Sequence, residues 1–154
     1  MTFTNKELKN YLKGLSKKAE LSSFSFEYES GHLEFHSRLR IILSSGKIIQ
    51  WKIPKKTPLD REKEKEKAKI RETDFSDDKI LIFIEGLRKR KIWDLENCTE
   101  RALPDTPLLT FSIRNNDQLV FEQQVWENCR NDCKRTKELI RILAALLPLD
   151  WSLP

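Results

Sequence analysis

Residues 108–126 read LLTFSIRNNDQLVFEQQVW, and this stretch decides the fold. Apolar and polar residues alternate on both sides of Asn115, Asn116 and Asp117, three residues that tolerate a left-handed backbone. Two alternating runs joined by such a turn are typical of a β-hairpin. Apolar residues then recur at helical spacing over 132–147, so we predict a helix that packs on the hairpin.

The same order of strands followed by a helix occurs earlier in the chain. Alternating residues between 24 and 53 predict three antiparallel strands, and residues 77–91 predict a helix behind a Ser76 cap. A first helix over 5–18 begins with the capping-box sequence TNKE. The sequence therefore predicts an α+β fold in the order α-βββ-α-ββ-α, with an antiparallel sheet of about five strands and at least two helices on one face.

The length of 154 residues fits a single domain covering 1–154. Residues 55–74 contain almost no apolar side chains and alternate in charge, so we predict a mobile, solvated segment inside that domain. A helical extension is the alternative, because some opposite charges lie four residues apart.

Composition and cysteine usage predict a cytoplasmic protein. The beginning of the chain is polar and has no apolar core segment of a signal peptide, and no apolar run reaches the roughly 18 residues of a membrane span. Cys98, Cys129 and Cys133 follow no disulfide spacing, so we predict three free thiols. The net charge of +5 is mild, because 29 basic residues are mixed with 24 acidic ones.

No motif of the chain predicts catalysis. The four glycines are isolated and form no phosphate loop, and no serine lies in a G-x-S-x-G context. His32 and His36 would lie about 13 Å apart along a strand, too far to share a metal ion. We therefore predict a chain that is not an enzyme and that has no cofactor and no metal site.

By elimination, we predict a non-catalytic protein-binding module, an inhibitor or an accessory subunit of a larger complex. Residues 27–40 would present a wet sheet face, on which Arg38 and Arg40 are the candidate contacts. Trp151 is the third candidate, because tryptophan is enriched at interface hot spots. The alternative for Trp151 is docking on the protein's own core.

A nucleic-acid-associated accessory protein is the alternative function. The candidate nucleic-acid-binding residues are Arg88, Lys89, Arg90 and Lys91. Trp51 and Trp93 would be the side chains on which bases stack. The competing interpretation is that the four cations only stabilise the end of the second helix, where the helix dipole favours positive charge.

Three short motifs accompany the order of strands and helices. They are Ser30-Gly31 after the first strand, Ile92-Trp93-Asp94-Leu95 after the second helix, and Pro104-Asp105 before the last hairpin. This order with these motifs resembles the small emfourin-type protease-inhibitor modules of bacteria over roughly 24–147. His32 stands at the second glycine of that family's turn. The resemblance implies binding to a protein, with inhibition as the outcome.

The sequence shows no motif of zinc ligands, and this leads to a first prediction. Protein purified without a chelator should contain zinc far below stoichiometry in elemental analysis, because no closed set of four ligands is present. Stoichiometric zinc whose removal by a chelator unfolds the protein would contradict this.

Overall fold

The stretch that opens the sequence analysis forms a hairpin at one edge of the sheet. Its strands are β5 (Leu108–Asn115) and β6 (Gln118–Trp126), which pair in antiparallel register up to Asn115 and Gln118. Asn116 adopts the left-handed backbone expected at the turn, with φ of 53°. Its amide donates to the carbonyl oxygen of Ser23 over 2.7 Å, so the turn also contacts the residue before the first strand.

The computed structural model describes residues 3–15, 21–31, 38–44, 46–53, 68–95, 108–127 and 133–147, with the backbone alone at 38–40, 52–53 and 68–70. The helices are α1 (Asn5–Gly14), α2 (Asp77–Lys89) and α3 (Lys134–Leu146), and a short 3₁₀ helix covers Ile92–Asp94. The other strands are β1 (Phe24–Gly31), β2 (Arg38–Ser44), β3 (Gly46–Ile53) and β4 (Ala68–Phe75).

Six strands form one antiparallel sheet in the order β4-β3-β2-β1-β5-β6. Alternate residues of a strand point to opposite faces of the sheet. In this sheet the residues on one of the two faces are mostly apolar. Phe26 lies beside Leu43 and Ile113 in register, and all three are buried. Its neighbour Glu27 lies beside Ile42, and both are only half-buried. The residues that point to the same side as Glu27 and Ile42 form what we call the open face.

The three helices cover the apolar face, and one core cluster joins them to the strands. The predicted α+β class and the order of elements are therefore confirmed. Ile140 on α3 is half-buried. The buried residues of these elements include Phe83, Ile84, Phe111, Ile113, Phe121 and Leu143.

The sequence does not predict β4, which takes up the end of the charged segment 55–74. The strand pairs with β3 in antiparallel register, and polar side chains also connect the two strands. Lys47 forms an ion pair with Glu72 over 3.1 Å, and Arg71 donates to the side-chain oxygen of Gln50 over 2.6 Å. Residues 54–67 lie outside the described part, so mobility there stays a prediction.

Both predicted caps are present, and the third helix begins differently. Thr4 exchanges hydrogen bonds with Glu7 at the start of α1, and the Ser76 side chain accepts from the Lys79 amide at the start of α2. The third helix begins at Lys134, two residues later than predicted, and the Cys133 side chain before it makes no capping hydrogen bond. All three helices are shorter than predicted.

The one-sided core predicts unequal effects for neighbouring substitutions on β5. Phe111 lies under the helices and its ring centroid is 5.1 Å from that of Tyr28, whereas Thr110 points to the open face. Phe111→Ala should lower the free energy of unfolding by about 3–5 kcal/mol, because it opens a cavity. Thr110→Ala should cost well under about 1 kcal/mol. Denaturant unfolding measures both, and equal effects would contradict the assigned faces.

Candidate functional site

The α2 and α3 helices pack side by side in antiparallel orientation on the sheet. Arg90 near the end of α2 contacts Glu138 in the first half of α3, with 2.6 Å between Nε and Oε2. One turn earlier in α2, Gly86 faces Ile142, one turn later in α3. A Cβ atom on Gly86 would lie 3.1 Å from the Ile142 Cγ2 atom. The missing side chain therefore lets the two helices approach closely at this point.

The outer surfaces of these two helices enclose a groove of about 570 Å³. We call it the helix groove. Ile82 in this groove is 58% exposed, the one large hydrophobic residue of the described ranges that is classed as exposed. The volume of the helix groove falls inside the range of about 300–1,000 Å³ that is typical of ligand pockets. The apolar lining residues are Leu81, Ile82, Gly86, Ile142, Ala145 and Leu146.

Charged residues concentrate at one end of the helix groove. Four of the five described charged lining residues are basic, and Glu85 is the exception. Lys89 is exposed, and the Arg141 side chain is 58% exposed although it contacts Glu138. Because α2 and α3 are antiparallel, these two cations lie toward the end of α2, and Ile82 lies toward the other end. The groove is therefore apolar at one end and basic at the other.

Arg88 has a structural role at this basic end. Its guanidinium donates to the carbonyl oxygens of Leu12 and Leu15, each over 2.6 Å, and to that of Lys13 over 3.4 Å. These carbonyl groups belong to the last turn of α1 and to Leu15 just after it, where helical partners run out. Arg88 thus caps α1 and fixes it against α2.

The predicted nucleic-acid cluster divides into two pairs in the structure. Arg88 caps α1 and Arg90 contacts Glu138, whereas Lys89 and Lys91 are exposed. Trp93 is 3% exposed, so it presents no surface for stacking on a base. Nucleic-acid binding stays a prediction, with fewer exposed groups to support it than the sequence indicated.

The other predicted contact residues lie at the limits of the described ranges. The backbone of Arg40 pairs with Glu29 and Trp51, and Arg38 lies two residues earlier in β2. Their side chains lie outside the described residues, as does all of Trp151. Whether these three residues contact a partner stays a prediction.

Titratable groups form no reactive cluster in the described part of the chain. No group of three His, Cys, Asp or Glu there could hold a metal ion. Burial raises the pKa of Tyr11 to about 12, and it lowers the pKa of Arg135 from its usual value. Arg135 stacks over the Phe121 ring at 5.6 Å and donates to Gln123, which places it in the core rather than in the groove.

Cys133 corrects the prediction of three free thiols, because it is disulfide-bonded. The other two cysteines, Cys98 and Cys129, lie outside the described residues, so the partner of Cys133 is not among the described residues either. Spacing in the sequence could not reveal this bond, since a disulfide depends on proximity in the fold. The predicted cytoplasmic location loses the support that free thiols gave it.

Comparisons with known proteins assign no family to this chain. No protein-family model matches it, and no curated protein matches it in sequence. The emfourin-type resemblance therefore stays a prediction. None of the helices in the described ranges has the length and apolar character needed to span a bilayer.

The sequence does not predict the helix groove. Apolar residues recur at helical spacing along α2, and Ile80, Phe83 and Ile84 of this stripe are buried in the core. A signal for the groove is present, because Ile82 is an apolar residue off that stripe and a glycine, Gly86, follows it one turn later in the helix. The volume of the groove could not be predicted, since it depends on how closely the helices pack.

The two kinds of cation predict different effects on stability. Arg88→Met should lower the free energy of unfolding by about 1.5–3 kcal/mol, because carbonyl groups of α1 lose a charged donor. Lys89→Met, a neighbouring exposed position, should change it by less than about 0.5 kcal/mol. Denaturant midpoints measured on both variants test this. Equal, small shifts would show that Arg88 does not hold α1.

Proposed function

We propose that this chain is a non-catalytic protein-binding module that holds its partner in the helix groove. One observation carries the proposal: an apolar groove of about 570 Å³ contains the exposed Ile82 and has basic residues at one end. Exposed apolar surface bordered by polar groups is typical of interaction sites. The groove lies between two helices that the core holds in place, so it is largely formed before a partner arrives.

The groove has the composition of a small interface core. Ile82 and Leu81 supply apolar contact area, and the small side chain of Ala145 leaves room for a partner's side chains. Lys89 and Arg141 lie at the edge, where charges steer association and select partners more than they add affinity. A partner with apolar anchors would bury Ile82 and displace water from this surface.

The partner's binding would make the chain an inhibitor or an accessory subunit. The resemblance to emfourin-type modules favours inhibition. Neither role needs a titratable group in the groove. Shape and charge would carry the activity.

Ala144 and Ala145 offer a matched pair for the experiment. Both are exposed residues near the end of α3, but only Ala145 lines the helix groove. Ala145 also borders a smaller cavity against β4, so Ile82→Gln is added as a variant of the helix groove alone. Wild-type protein and the three variants are immobilised, and lysate of the cells that carry this sequence is passed over them.

We expect a protein that wild type and Ala144→Glu retain and that Ala145→Glu and Ile82→Gln lose. The loss should reach about tenfold or more, because a charge or an amide would enter the apolar contact. Thermal unfolding of each variant confirms that the fold is intact. Equal retention by all four proteins would contradict binding at the groove. Retention of nucleic acid alone would favour the alternative function.

A further inference from the structure

The dimensions of the helix groove favour a helical occupant over an extended one. Its lining on α2 runs from Leu81 to Arg90, a rise of about 14 Å at 1.5 Å per residue. An extended chain would place only about four residues along this length, two of them on one face. A helix presents three anchors, at i, i+3 or i+4, and i+7, within about 11 Å.

The uneven distribution of charge along the groove restricts the occupant further. Ile82, Ala145 and Leu146 lie toward the apolar end, and Lys89 and Arg141 toward the basic end. An occupant that matches both ends has apolar side chains along one face and carboxylates near one terminus. Carboxylates in the first turn of a helix also stabilise that helix.

We infer that the groove binds an acidic amphipathic helix of a partner protein. Apolar side chains of that helix fill the space over Ala145 beside Ile82, and its carboxylates contact Lys89 and Arg141. This inference rests on the proposed function, because it names the chemistry of the partner for the same groove.

Charge complementarity separates this occupant from two others. A second copy of the chain would bring two basic ends or a basic end and an apolar end together, and Lys89 and Arg141 would find no surplus of carboxylates. Nucleic acid would satisfy these cations through its phosphates, but it would leave the apolar end around Ile82 uncovered. An acidic amphipathic helix satisfies both ends of the groove.

The test is a selection from displayed helical peptides of about 18 residues, or five turns. Apolar face positions vary among Leu, Ile and Phe, and flanking positions vary among Glu, Lys and Ser with equal frequency. Binders to wild type are kept after counter-selection on the neutral groove variant Ile82→Gln, which neither repels nor attracts charged peptides. We expect Glu to be enriched at flanking positions near one terminus. Enrichment of Lys or Ser, or the absence of any peptide that distinguishes the two proteins, would overturn the inference.

The best peptide then tests the assigned contacts in solution. Lys89→Glu should weaken it about three- to tenfold and reduce its salt dependence, whereas Lys137→Glu, the same reversal on an exposed position outside the groove lining, should leave affinity within about twofold. Ala144→Glu should bind like wild type. Equal loss with Lys89→Glu and Lys137→Glu would show that overall charge, not the groove, attracts the peptide.

Fluorescence anisotropy with a labelled single-stranded oligonucleotide completes the experiment. Tight oligonucleotide binding that Lys89→Glu abolishes and Ala145→Glu preserves would assign the basic end to nucleic acid and overturn the inference. The proposed function fails separately: it fails if the lysate experiment shows no protein that depends on Ala145. A groove-dependent partner together with a selection that enriches Lys or Ser would leave the proposed function intact and refute only the acidic helix.

Discussion

Burial of a single face of the sheet is the constraint on which the rest of this structure depends. Alternate residues of six strands point to one side, and the buried aromatic residues Phe26, Tyr28 and Phe111 lie there. Three helices must share this face, so α2 and α3 lie side by side. Gly86 lets them approach closely at Ile142. The helix groove follows from this packing, because the contact between α2 and α3 that covers the core also sets the shape of the outer surface of the two helices.

Local sequence signals predicted the elements whose formation depends on neighbours in the chain. The hairpin at Asn116 and the caps at Thr4 and Ser76 are local, and each is present. β4 was missed because its formation depends on β3, which is distant in the chain: among its residues 71–75 only Phe75 is buried, and a charged side chain pairs across to β3. Charged residues are usual on an edge strand, where they discourage pairing with other chains. Such a strand has the composition of a solvated segment.

The site could be predicted from the sequence only in part, for the same physical reason. A row of cations from residue 88 to 91 is visible in the sequence, but their roles depend on what lies opposite each of them. Arg88 reaches the end of α1, and Arg90 reaches Glu138, so contacts distant in the chain turn half of the row into structural groups. Ile82 shows the opposite case. It is an apolar residue of the kind that usually lies in the core, and only the fold shows that it is exposed.

The central claim is that the chain binds its partner through the helix groove rather than through the open face of the sheet. Isoleucine methyl groups lie on both surfaces: Ile82 and Ile142 line the groove, and Ile42 and Ile49 lie on the open face. Methyl NMR of isoleucine-labelled protein, titrated with the partner that wild type retains, compares the surfaces in one sample. The account predicts that the Ile82 and Ile142 signals shift and show contacts to the partner while those of Ile42 and Ile49 stay in place. Shifts confined to Ile42 and Ile49 would contradict it.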